Sequence, residues 1–111
     1  MKLFLGDKII SNKVNLANDT ISRMVGLLKS NGLNDGESLL IEPCNSIHTF
    51  FMKFNIDVLF LDKNFKVVKV FRNMPPWRMT RPYFSVKRVV EANANAFSFI
   101  NPGDQLELRD V

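Results

Sequence analysis

Pro43-Cys44-Asn45-Ser46-Ile47-His48-Thr49-Phe50-Phe51-Met52-Lys53-Phe54-Asn55-Ile56-Asp57-Val58-Leu59-Phe60-Leu61-Asp62 contains the densest apolar run of the chain. It also holds the only cysteine, Cys44, and the only histidine, His48. A run this apolar belongs in a core, and polar groups set within a core need partners. Read as extended chain, Cys44, Ser46, His48, Phe50 and Met52 point one way, and Ile47, Thr49, Phe51 and Lys53 the other. Asp57 stands in a strand that is apolar on both faces, so its carboxylate must be paired or hydrogen-bonded. Arg23, Arg78 and His48 are its candidate partners. Asp62, followed by Lys63-Asn64, reads as the start of a hairpin turn.

Outward from this stretch, short strands alternate with turns. Residues 2–5 and 8–16 read as two strands joined at Gly6-Asp7. Asn18-Asp19-Thr20 offers N-cap oxygens, and Ile21, Met24 and Leu28 recur at helical spacing up to Gly32, which predicts a helix over about 19–31. Residues 37–42, 46–52, 56–62, 65–72, 86–91 and 105–109 read as strands, the last after the turn Asn101-Pro102-Gly103-Asp104. Turns roughly every ten residues indicate a mainly β fold (α+β by count): a small β-sandwich or jelly-roll-like barrel with one N-terminal helix. There is too little helix for a parallel βαβ sheet.

The 111 residues suit a single domain, 1–111, with one core. Ten phenylalanines against one tyrosine and one tryptophan place most rings in the core or in an apolar pocket. The net charge of +4 is enough to attract anions, but it also falls in the range that merely keeps a domain soluble. One cysteine excludes an internal disulfide and fits a reducing compartment. Residues 1–8 do not read as a secretion signal, and no apolar run approaches the roughly 20 residues that span a bilayer. The expectation is a cytoplasmic protein with no membrane association.

Three chemistries compete for the polar groups. In the first, Cys44 or Ser46 is a nucleophile, His48 its base, and Asp57 or Glu91 orients the imidazole. In extended chain Cys44 and His48 lie about 13 Å apart, so a thiol–imidazole dyad requires a bend within 43–46, whereas Ser46 and His48 are only about 6.6 Å apart. The plainer alternative is a buried free cysteine and a histidine hydrogen-bonded across strands. In the second, Cys44-x3-His48-x3-Met52 resembles a soft-metal spacing, but one histidine is too few for a blue-copper site, and neither metal nor cofactor is expected. In the third, the loop over 74–84, which carries Trp77, Arg78 and Arg81, could stack bases and hold phosphates, or could equally anchor a loop over an open sheet end.

Arg23-x2-Gly26-Leu27, Pro43-Cys44-x-Ser46-x-His48-Thr49-x2-Met52 and Ile56-Asp57-Val58-x-Phe60-Leu61-Asp62 follow one another along the chain. After them come a proline–tryptophan–arginine loop, a strand ending in Glu91, and Gly103-Asp104. In this order the motifs resemble the family called domain of unknown function 192, from about residue 10 to the end. The resemblance implies a compact, mainly β domain of sandwich or jelly-roll-like architecture. It implies no activity, because the family has none established. The chain departs from the pattern at Asn55, where proline is frequent, and at Ala92-Asn93-Ala94-Asn95, where alanine–glycine is frequent.

The leading expectation is a domain that binds a small polar or anionic ligand through Arg23, Cys44, Ser46, His48, Asp57, Trp77 and Arg78. The alternatives are a hydrolase or acyl-transfer enzyme using Cys44 or Ser46 with His48, and nucleic-acid binding through the basic aromatic loop 74–88.

Overall fold

The structure, a computed structural model, describes residues 1–17 and 32–111. The helix expected over about 19–31, and Arg23 with it, lie outside the described residues. Eight strands are present among the described residues: β1 (Lys2–Leu5), β2 (Lys8–Ser11), β3 (Lys13–Ala17), β4 (Glu37–Ile41), β5 (Ile56–Leu61), β6 (Val67–Met74), β7 (Arg88–Asn93) and β8 (Leu106–Arg109). They form a three-stranded sheet, β2-β1-β8, and a five-stranded sheet, β3-β4-β7-β5-β6. No helix among the described residues is long and apolar enough to cross a membrane.

The sheets share one core. Leu3, Ile10 and Leu106 of the small sheet meet Leu40, Leu59, Leu61 and Val90 of the large one around the fully buried ring of Phe97. The other face of the large sheet carries Leu39, Ile41, Val58, Phe60 and Val89, and the chain over 43–55 and 75–87 covers it with Ile47, Met52 and Val86. β5 is buried along its whole length, which explains its unbroken Ile-Asp-Val-Leu-Phe-Leu sequence.

Two expectations are corrected. The strand read over 8–16 is two strands in different sheets, broken at Asn12, whose N–H donates to Gly36 O at 2.9 Å. Gly36 has φ 76°, and a Cβ there would fall 2.6 Å from Asn12 Nδ2, so the crossing needs glycine. Beyond this break β3 and β4 pair in parallel, the one parallel pair in a framework otherwise antiparallel among the described residues. Second, 46–52 is not a ladder strand; only His48 makes an isolated bridge, to Met79. Its apolar groups cover the sheet from outside, which gives the same composition as a buried strand without the alternation.

Asp57 ties this framework together. Between Ile56–Met74 and Val58–Phe71 the β5–β6 register slips, so Arg72 and Asn73 both oppose Asp57. This is a β-bulge, which bends the edge strand. The buried Asp57 carboxylate accepts from Asn73 N at 2.8 Å and from Phe97 N at 3.0 Å. Arg72, the other bulge residue, donates to the carbonyls of Phe97 and Ile100. The bulge is thereby fastened to the turns over 94–100, where the chain leaves the large sheet for the small one.

Asp57→Ala is expected to lose about 3–5 kcal/mol, because two inward amides lose their acceptor at once. Asp57→Asn, which keeps one acceptor oxygen, is expected to lose less. Equilibrium urea unfolding measures both; an Asp57→Ala loss below about 1 kcal/mol would contradict this role.

Candidate functional site

After β4 the cis Glu42–Pro43 peptide leads into the covering segment. Cys44 N donates to Lys87 O at 3.1 Å, and Tyr83 N donates to Asn45 O at 3.0 Å, so 43–46 is stitched to the chain that precedes β7. The half-buried Cys44 thiol donates to Ser46 O at 3.1 Å. Burial pushes its pKa up and the negative charge of Glu91 adds to the rise, against the hydrogen bond to Ser46. The thiol therefore stays protonated at neutral pH and is a poor nucleophile at rest.

Glu91 lies on the same sheet face as Leu39 and Val58, its register neighbours on β4 and β5. It is buried, neither carboxyl oxygen has a hydrogen-bond partner among the described residues, and burial raises its pKa to about 7. Asp57 and Glu91 are thus opposite cases: a buried carboxylate with two amide donors, and a buried carboxyl group with none.

A second polar centre holds the two covering loops together. Thr49 is buried; its N–H donates to Arg78 O at 2.8 Å, and its carbonyl accepts from Trp77 N at 3.0 Å. The Thr49 hydroxyl donates to Pro75 O at 2.7 Å and accepts from Arg78 N at 2.9 Å. Thr80 N donates to Ile47 O at 2.9 Å, and Ile47 N to Thr80 Oγ1 at 3.0 Å. This short ladder holds Phe51 at φ 66° and Trp77 at φ 65°. The left-handed region costs a bulky residue about 1–2 kcal/mol, and the surrounding bonds over-determine it.

The expected site residues are therefore divided. Cys44 and Ser46 share one hydrogen bond beside Glu91. His48 is exposed, stacks on Phe50 with ring centroids 5.0 Å apart, and its Nδ1 accepts from Phe50 N at 3.4 Å. Trp77 and Arg78 are exposed on the neighbouring loop. The Asp57 carboxylate faces the opposite side of β5 and is held by backbone amides. The thiol and the imidazole share no hydrogen bond, so the Cys44–His48 dyad is not assembled. Among the described residues, no three His, Cys, Asp or Glu side chains are grouped to hold a metal ion.

Two clefts meet at Lys87. One, about 320 Å³, is lined by Pro43, Cys44, Asn45, Val86 and Lys87. The other, about 360 Å³, is lined by Glu42, Pro43, Lys87 and Arg88. Lys87 is fixed through its backbone, which accepts from Cys44 N and donates to Leu61 O at 2.9 Å. Its ammonium has no acidic partner among the described residues, whereas Arg88 pairs with Glu42 at 2.6 Å. A wider cleft of about 600 Å³ is lined by Asn55, Asn73 and Asn93, among others. Its carboxamides already bond one another or Leu33.

Sequence reasoning missed the Thr49 clamp, the placement of Lys87 and the isolation of Glu91. The Glu91 signal was available: a carboxylate within Val89-Val90-Glu91-Ala92 raises the same question as Asp57.

Residues 3–108 match the family DUF192, described as Uncharacterized ACR, COG1430. A UPF0127 protein of Thermococcus sibiricus is 29% identical over 106 residues, covering 90% of this chain and 68% of that protein. One from Pyrococcus abyssi is 38% identical over 85 residues, covering 71% and 69%. One from Pyrococcus horikoshii is 41% identical over 64 residues, and the matched stretch spans only 55% of that protein. A crystal structure of a protein of unknown function from Novosphingobium aromaticivorans superposes with a TM-score of 0.72 at 22% identity, covering 86% of this chain and 74% of that one. A second, of a putative transcription regulator from Sinorhizobium meliloti, gives 0.71 at 23% identity, covering 85% and 79%. At these identities the likeness is one of fold.

Two outcomes follow from the polar centres. Because the folded pKa of Glu91 lies near 7, above the ordinary 4.5, its contribution to stability is greatest below pH 4.5 and falls as pH rises to about 7. The fall amounts to about 3 kcal/mol, so Glu91→Gln is expected to match the wild type near pH 4.5 and exceed it at pH 8 in urea melts. Equal pH slopes would contradict this. Thr49→Val is expected to lose about 1–3 kcal/mol by stranding the Arg78 amide. It should also shift the emission of Trp77; an unchanged spectrum and midpoint would argue against the clamp.

Proposed function

The chain belongs to the DUF192 family, and on that premise we propose that it binds a compact polar or anionic ligand in the cleft between Cys44 and Lys87. The observation that carries this reading is Lys87, fixed through its backbone and without an acidic partner among the described residues, lining two small adjoining clefts. An ammonium is a point charge suited to phosphate or carboxylate oxygens. The Asn45 carboxamide lines the same cleft and offers both a donor and an acceptor, and the protonated Cys44 thiol adds apolar contact and a weak donor. Arg88, half-neutralised by Glu42, contributes a second, weaker positive field.

Binding is favoured over acyl transfer by the state of the thiol. Its bond runs to Ser46 O, its pKa is raised, and His48 is engaged with Phe50. The sandwich-like arrangement suits binding, since the cleft lies where covering loops meet the sheet and not inside the shared core.

Inorganic phosphate and succinate are expected to shift the backbone amide resonances of Cys44, Asn45 and Lys87 in a saturable way. Lys87→Met should weaken that binding about tenfold or more, the equivalent of about 1.4 kcal/mol. If neutral glycerol produces the same shifts, or the variant binds equally well, the reading is wrong.

A further inference from the structure

We propose that the β6 edge and the two loops clamped by Thr49 form a binding surface for single-stranded nucleic acid. From Lys63 to Val90 the chain carries eight lysines and arginines and no aspartate or glutamate. Arg72 and Arg88 are engaged by carbonyls or by Glu42, but Lys69, Arg78 and Arg81 have no acidic partner among the described residues. This part of the molecule therefore has a positive field that the described residues do not neutralise.

Two cations flank a pair of rings here. Lys69 Nζ lies 5.5 Å from the Phe71 centroid, Phe71 lies 6.3 Å from Tyr83, and the Arg81 guanidinium lies 4.1 Å from the Tyr83 ring. On the adjoining loops Trp77 sits 6.0 Å from Phe50 and 4.6 Å from Phe51. Phe51 is 66% exposed and Trp77 57%, and the two rings touch, so they form an exposed apolar pair of the kind that marks an interaction site; Phe84 is 83% exposed. Two of these residues are held outward from left-handed backbone by the Thr49 ladder, so their exposure is built in.

A single strand carries phosphates beside bases whose π faces are open, and it is matched by unpaired cations set beside exposed rings. A duplex hides those faces. A lipid surface would be met by the same charge, but it is better suited by apolar groups gathered at one tip with cations around the rim. Here Lys69 and Arg81 lie against ring faces, which favours the strand.

The test is fluorescence anisotropy of labelled oligo-dT and oligo-U of about 15 nucleotides with the full chain at about 50 mM salt. Saturable binding is expected, with quenching of Trp77, the only tryptophan. Phe51→Ala and Trp77→Ala should each weaken it about fivefold or more. The double variant Arg78→Gln, Arg81→Gln, which leaves both rings in place, should weaken it and flatten the salt dependence, the slope falling by about 0.7 for each phosphate no longer neutralised. Four results overturn the proposal: no binding to either oligonucleotide, equal affinity for a duplex of the same length, affinity indifferent to ring removal, or co-sedimentation with phosphatidylserine vesicles in place of oligonucleotide binding.

Discussion

The carboxylate of Asp57 is the constraint on which the rest of the structure depends. One oxygen holds the amide of Asn73 at the β6 bulge, and the other holds the amide of Phe97 where the chain leaves the large sheet. A bulge leaves an extra residue out of the ladder, and a turn in the core leaves amides pointing inward; each needs an acceptor away from water. A single side chain on β5, with two acceptor oxygens, meets both needs. Arg72 closes the same node from the other side by donating to the carbonyls of Phe97 and Ile100. The crossing between sheets and the bend of the edge strand are thus coupled through one residue.

That bend has a consequence at the surface. β6 ends at Met74 immediately beyond the bulge, and the chain continues into the segment that carries Trp77 and Arg78. The Thr49 ladder then fixes this segment against 46–52. Backbone that would otherwise lie unpaired over the sheet is satisfied by a miniature antiparallel pairing, with the threonine hydroxyl serving where the geometry departs from a regular ladder. Two aromatic residues in left-handed conformations are the cost of that pairing, and their rings face solvent.

Asp57 and Glu91 show how environment divides chemically similar groups. Both sit in apolar strands of the same sheet, on opposite faces. Asp57 meets two N–H donors and is a structural acceptor. Glu91 has no hydrogen-bond partner among the described residues, and burial raises its pKa to about 7. The first arrangement stabilises the fold; the second disfavours ionisation.

Much of the framework was legible in the sequence, because it depends on local signals. Turn residues every ten or so positions, the doubly apolar Ile56–Leu61 and the closing Asn-Pro-Gly-Asp turn identify a mainly β domain, and the ordered motifs point to its family. The same local logic showed that Asp57 needed partners and that Cys44 could not reach His48 along an extended chain. What it could not decide was where those partners are. Asp57 is satisfied by the amides of Asn73 and Phe97, 16 and 40 residues away in sequence, and not by Arg78 or His48. The segment 46–52 has the composition of a strand, yet it covers the sheet, because apolar content records burial and not pairing. Lys87 became a candidate only when the ends of two loops met beside Cys44. Sequence by itself determined which groups had to be buried or satisfied, since burial and periodicity act through neighbours along the chain. Only the tertiary structure decided which groups meet, since hydrogen bonds and charges act through space.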